Sequence, residues 1–166
     1  MNATNFSERE FRDVMGRYPT GVAVVTPVNA QRENIGITVN SFTSVSLRPP
    51  LIAFSLDKRL RSLNDWLETE TFVVNFLAES QNHVSQAFAV MNGDKWSSAS
   101  FNLGKTANPI LDRKIAALEC KRYDCHEAGD HFIMIGQVLH LENEDKGDPL
   151  VFHRGRYRTL AKHEEA

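Results

Sequence analysis

Apolar residues recur along this chain with two periods, one helical and one extended. Phe11, Val14, Met15 and Tyr18 fall at i, i+3, i+4 and i+7 and predict an amphipathic first helix. Ser7 and Glu10 have capping-box spacing at its start, and Pro19 stops it, because the residue before a proline avoids the helical region. Beyond that point extended segments dominate. Val22–Thr26 is rich in β-branched residues, and a polar turn containing Gln31 to Asn34 follows. Ile35–Leu47 reads as one long extended run closed by Arg48-Pro49-Pro50. Leu51–Leu56, Phe72–Leu77, Ala116–Tyr123 and His131–Leu141 are further strands. Two short helices interrupt them. One begins after Asp57, with Leu60, Leu63, Trp66 and Leu67 inward; the other begins after Ser80, with Val84, Ala87 and Phe88 inward. Asn92–Asn108 reads as a polar loop. A hairpin pairs Leu150–His153 with Arg156–Leu160 around Arg154-Gly155, and Lys162–Ala166 reads as a charged tail.

Many strands, few helices and no alternating βα rhythm favour a barrel over a doubly wound sheet. No G-x-G-x-x-G follows a strand, and neither a P-loop, H-E-x-x-H nor G-x-S-x-G occurs. At 166 residues, 42% of them hydrophobic, the chain can bury a core without disulfide or metal staples. A formal charge of −2 argues against a nucleic-acid or membrane-surface binder, which needs a marked basic excess. The longest apolar stretches, such as Gly21–Val25 and Leu51–Phe54, are too short to span a bilayer, and the first residues lack a signal-peptide pattern. The expectation is a soluble, cytoplasmic protein.

Four stretches carry candidate chemistry. Within Ile35–Leu47, Ser41 and Thr43 interrupt the otherwise apolar odd face, while Gly36, Thr38, Asn40, Phe42, Ser44 and Ser46 lie on the even face. Hydroxyls on a buried face need partners, and neutral donors of this kind suit a phosphate or the edge of a flat heterocycle. A half-exposed strand with a wet face is the plainer alternative. If Asp57 caps the following helix, Lys58, Arg59 and Arg61 crowd its positive end, a penalty that a bound anion reverses. A solvated basic turn is the other possibility. Gly129-Asp130-His131 delivers an imidazole to the mouth of a hydrophobic strand, as a functional group or as a solvated strand-end residue. His153-Arg154-Gly155-Arg156-Tyr157-Arg158 is a cationic patch with one aromatic, suited to a dinucleotide's phosphates or merely to solubility. Cys120 and Cys125 lack zinc-ligand spacing and number, and strand alternation places them on opposite faces, so no metal site is expected.

Several of these stretches together resemble the short-chain flavin reductase family. The resemblance rests on Phe11-Arg-x-x-Met15, Tyr18-Pro-Thr-Gly-Val-x-Val-Val-Thr26, Gly36-Ile-Thr-Val-Asn-Ser-Phe-Thr-Ser-Val-Ser46, Pro49-Pro50, Gly129-Asp130-His131 and Pro149-Leu-Val-Phe-x-x-Gly-x-Tyr157. It implies one domain over residues 7–160, with tails at 1–6 and 161–166. The implied fold is β-dominated (α+β): a Greek-key-like split β-barrel with a few peripheral helices. It further implies a homodimer that binds FMN or FAD at the subunit boundary and oxidises NADH or NADPH, handing reduced flavin to a monooxygenase partner or another acceptor. Carried over by position, Thr38, Asn40, Ser41 and Thr43 would line the isoalloxazine and ribityl chain. Ser55, Lys58 and Ser62 would hold the flavin phosphate, while His131, Tyr157 and Arg154 would meet the nicotinamide, His131 as the catalytic group. The loop Met91-Asn-Gly-Asp-Lys95-Trp96 stands where family members often carry an acidic-basic-aromatic triplet.

Hydride transfer between two bound rings needs no protein nucleophile or metal, which agrees with the missing catalytic triad. A non-catalytic flavin-binding module of the same barrel type shares the Thr38–Ser46 segment and diverges at His131 and the Arg154–Arg158 hairpin. A metal-corrinoid or ferric acceptor is equally compatible with the residues.

Overall fold

A computed structural model describes residues 5–90, 93–144 and 147–161. The elements run α1 (Glu8–Met15), β1 (Thr20–Gly21), β2 (Ala23–Thr26), β3 (Ile37–Val39), β4 (Thr43–Leu47), β5 (Pro50–Asp57), α2 (Leu63–Glu68), β6 (Thr71–Phe76) and α3 (Asn82–Ala89). Then come β7 (Phe101–Leu103), β8 (Pro109–Leu111), β9 (Ala116–Ala128), β10 (His131–Asn143), β11 (Val151–His153) and β12 (Arg156–Arg158). The charged tail Lys162–Ala166 lies outside the described residues.

Seven strands form one antiparallel sheet in the order β3-β2-β6-β9-β10-β5-β4. The edge strands β3 and β4 are consecutive in sequence, joined only by Asn40–Phe42. Val39 and Thr43 can therefore be at most about 14 Å apart, so the sheet must curl until its edges approach. The edges do not pair with each other among the described residues, which leaves a split barrel. The β5-to-β6 connection passes over two intervening strands and gives the Greek-key-like order.

The barrel interior holds Val25, Ile37, Val39, Phe54, Trp66, Phe72, Cys120 and Met134, all buried. Phe54 meets Phe72 and Trp66 edge-on, with centroids 5.4 and 6.2 Å apart. β2 is buried on both faces: Ala23 and Val25 point into the barrel, while Val22 and Val24 join Val84 and Phe88 of α3 in a second cluster outside it. This pins α3 alongside β3, and α3 forms one wall of the site described below.

Five expectations change. The run Ile35–Leu47 is not one strand, because the chain must leave one sheet edge for the other at Asn40–Phe42. Phe42, on the supposedly polar face, turns inward against Phe76 at 4.9 Å, whereas Thr43, Val45 and Leu47 are exposed. The capping box of α1 is present, yet Phe11, Val14, Met15 and Tyr18 are all more than half exposed. Phe101–Leu103 forms a short hairpin with Pro109–Leu111, so the region read as a loop is partly strand. Finally, Cys120 and Cys125 both pack on the barrel core. Cys125 pairs with Met134 and Asp124 with Ile135, but Arg122 pairs with Gly136, so Tyr123 is an extra residue and the bulge flips the parity.

Candidate active site

The β3 end, the Asn40–Ser41 link, the end of β5, the turn before α2 and the start of β10 surround a cleft of about 490 Å³, closed on its far side by the end of α3 and Lys95-Trp96. That volume is in the range of small-ligand sites. Thr38, Asn40, Ser41, Ser55, Ser62 and His131 line it together, although they span most of the chain. β5 and β10 pair with His131 opposite Asp57, so the imidazole stands beside the Asp57 turn.

Each of these groups has a defined setting. Thr38 Oγ1 donates to the carbonyl of Ser85 at 2.6 Å, which ties β3 to α3. Ser41 Oγ accepts from the Ser55 N–H at 2.9 Å, which ties the Asn40–Ser41 link to β5. His131 Nδ1 lies 2.7 Å from Asp130 Oδ1, and this contact holds the Asp130 carboxyl below its usual range. Lys95 Nζ donates to the Gly36 carbonyl at 2.9 Å, and burial lowers its pKa. Trp96 Nε1 donates to the Asn34 carbonyl at 2.8 Å, and its ring packs edge-on against Phe88 at 5.0 Å. Lys95 and Trp96 belong to the loop that carries the acidic-basic-aromatic triplet, whose Met91 and Asn92 lie outside the described residues.

The basic turn differs from its sequence reading. α2 begins at Leu63 with Ser62 as its N-cap, so Lys58, Arg59 and Arg61 precede the helix and do not crowd its first turn. Asp57 Oδ1 accepts from the Arg59 N–H at 2.8 Å, and its carboxylate also grips the Arg59 guanidinium. Those hydrogen bonds hold Asp57 down to about 2. Lys58 pairs with Glu127, 69 residues away, and stands 5.5 Å over the Phe132 ring. Arg61 lines the cleft beside Ser62 with no carboxylate at ion-pair distance among the described residues. One uncommitted guanidinium thus replaces the expected three. An Asp with an Arg two residues on was the signal that the turn neutralises itself.

Four expected residues lie elsewhere. Thr43 is exposed on β4, with its hydroxyl on the Ser44 carbonyl. Lys58 is engaged as above. Tyr157 donates to Ser85 Oγ at 2.9 Å and packs on Phe152, behind the cleft wall. Arg154 lines a neighbouring cleft. Among the described residues no group of His, Cys, Asp and Glu is placed to hold a metal.

A donor-lined slot with an unpaired cation at one end fits a flat heterocycle bearing a phosphate. The profile of the flavin reductase like domain matches residues 15–161. A flavin reductase of Pseudomonas putida is 41% identical over 154 residues, 91% of this chain and 89% of the relative. The reductase component of a flavin-dependent trigonelline monooxygenase from Acinetobacter baylyi is 36% identical over 98% of this chain, which spans 52% of that relative. Among solved structures, the NADH:FAD oxidoreductase of Streptomyces globisporus, in complex with NAD and FAD fragments, superposes with a TM-score of 0.91 at 32% identity, over 99% of this chain and 100% of that one.

Proposed function

This chain belongs to the flavin reductase like domain family, and we propose that the cleft floored by Thr38–Ser41 is where it binds flavin and carries out its reaction. It is an oxidoreductase that uses NAD(P)H to reduce a flavin nucleotide. The observation that carries the site is the convergence of Thr38, Asn40, Ser41, Ser55, Ser62 and His131 on one cleft.

When bound, flavin supplies a ring that accepts a hydride from the nicotinamide. The chain's own groups bind and orient. The Asn40 amide and the Ser41 hydroxyl would address the heteroatom edge, while the Ser55 and Ser62 hydroxyls would hydrogen-bond the phosphate and the Arg61 guanidinium would balance its charge. Lys58 can join them only by leaving its exposed partner Glu127. In the neutral imidazole, Nδ1–H of His131 donates to Asp130, which leaves Nε2 to orient the nicotinamide carboxamide. Tyr157 acts from behind: its hydroxyl fixes Ser85, whose carbonyl holds Thr38.

Residues 7–160 act as one such unit, and a second copy completes it. Support for a homodimer comes from the α1 stripe and from Leu47 and Leu141, which are 89% and 69% exposed and which a second copy would cover. Reduced flavin then passes to an oxygenase, a reading supported by the relative named as the reductase component of a flavin-dependent monooxygenase. Two free thiols suit the reducing cytoplasm. Nicotinamide absorbance followed with and without added FMN or FAD tests the reaction. Flavin-dependent loss of NADH or NADPH is expected; flavin binding without any such loss would mean a carrier module instead.

A further inference from the structure

On the flavin reading, the phosphate end of the cleft is short of positive charge. Among the described residues Arg61 is the only guanidinium lining it, whereas a phosphate monoester carries about two negative charges at neutral pH. Lys95 stands in the far wall, on the Gly36 and Phe88 carbonyls. Two further cations share the turn with Arg61, and each is already held by a carboxylate. Asp57 grips Arg59 through both Nε and Nη2, and also accepts from the Arg59 N–H. Lys58 meets one oxygen of Glu127, whose side chain is 67% exposed. The first pair is a chelate; the second is a single contact to a well-solvated acid, and it is the easier to exchange.

Strand register explains how Lys58 is held out of the cleft. Phe132 on β10 pairs with Leu56 of β5 on one side and with Glu127 of β9 on the other. Lys58, two residues beyond Leu56, reaches across the Phe132 ring, 5.5 Å from its centroid, to the carboxylate on β9. Asp57 before it and Leu60, Arg61 and Ser62 after it all line the cleft, while Lys58 does not. Its backbone is fixed, since its N–H donates to the Asp130 carbonyl at 3.0 Å. Only the side chain has to turn, because its Cα lies about 3.8 Å from that of Asp57.

We propose that Glu127 sets the affinity of the cleft: it competes with the flavin phosphate for Lys58 and so keeps the bound nucleotide exchangeable. This rests on the flavin reading above, because the competition needs a phosphate in the cleft. The phosphate gains the ammonium only where the Lys58–Glu127 pair has opened. The apparent Kd is then the intrinsic one divided by the fraction of chains in which Lys58 is free. Glu127 acts through Lys58 alone and touches neither ring nor phosphate. A grip weakened in this way suits a reductase whose flavin passes to another protein.

Equilibrium titration with FMN and with riboflavin tests this without any turnover. The wild type should bind FMN, and Glu127→Gln should lower that Kd by about two- to fivefold, as expected for removing an exposed competing ion pair. Riboflavin has no phosphate and should bind both proteins alike. In stopped-flow displacement FMN should leave the variant more slowly by a similar factor, since variants of one site differ mostly in off-rate. A double-mutant cycle separates the release of Lys58 from the mere loss of a negative charge. In a Lys58→Met background the Glu127→Gln change should move the FMN Kd by less than about 1.5-fold, the effect of a screened surface charge. An FMN Kd that is unchanged or raised in Glu127→Gln would overturn the proposal. So would an equal gain for riboflavin, or an equal gain in the Lys58→Met background. Wild type that binds neither FMN nor riboflavin would instead overturn the flavin reading itself.

Discussion

The imidazole Nδ1 of His131 lies 2.7 Å from the carboxylate Oδ1 of Asp130, its neighbour in sequence, at the tip of the β9–β10 hairpin. An adjacent carboxylate fixes the ring's orientation and reserves its second nitrogen for a ligand. Because β10 pairs with β5, the ring stands next to the Asp57 turn that borders the Thr38–Ser41 cleft.

Removing that ring should therefore damage turnover more than flavin binding. His131→Gln is expected to lower kcat/KM for NADH by about 10- to 100-fold, the cost of a misaligned pair of reactants, with little change in the Kd for flavin. Steady-state kinetics alongside a flavin titration check this. Asp130→Asn should lose less, since the ring remains.

Asp57 should make stability pH-dependent on the acid side. Its folded carboxyl is held at about 2, below the unperturbed 3.8, so its contribution is complete above that higher value and is lost as pH falls through the lower one. The ion pair is solvent-exposed on its Arg59 side, so its worth is about 0.2–1 kcal/mol at neutral pH. Asp57→Asn, which can still cap the turn, should be destabilised by that amount in urea melts at neutral pH and match the wild type at strongly acidic pH.

Gly36 is fixed by its surroundings. A Cβ there would fall 2.6 Å from Cε1 of Phe88, a ring held in the outer cluster against Trp96. Gly36→Ala should cost about 1–3 kcal/mol through overpacking and should loosen the Lys95 contact to the Gly36 carbonyl. Thermal denaturation and flavin affinity should fall together.

The two thiols should differ in reactivity. Burial pushes Cys120 up to about 12, whereas Cys125 is half-buried and shifted less. Alkylation of the native protein should label Cys125 slowly and Cys120 only after denaturation, as read by peptide mass spectrometry.

Most strands were legible because β-branched runs with period-two alternation survive any context, and Gly155 marked its hairpin for the same local reason. What was missed is long-range or has no compositional mark. A bulge at Tyr123 adds one residue of an ordinary type, and the break at Asn40–Phe42 contains neither proline nor glycine. Lys58 finds Glu127 only because β9 and β5 both flank β10. Within the candidate site, Ser41 was marked by a hydroxyl on an otherwise apolar face, yet Thr43, marked in the same way, faces solvent. Arg61 could be singled out from Lys58 and Arg59 only by long-range pairing, because its two neighbours are taken by Glu127 and Asp57.

The central claim is that the Thr38–Ser41 cleft holds flavin, and quenching of flavin fluorescence on titration with the protein tests it most directly. Saturable binding of FMN or FAD is expected, with Kd raised about 5- to 100-fold in Asn40→Ala/Ser62→Ala, the loss of two neutral hydrogen bonds. Flavin emission that stays unchanged at millimolar protein, or binding that the double variant leaves intact, would contradict it.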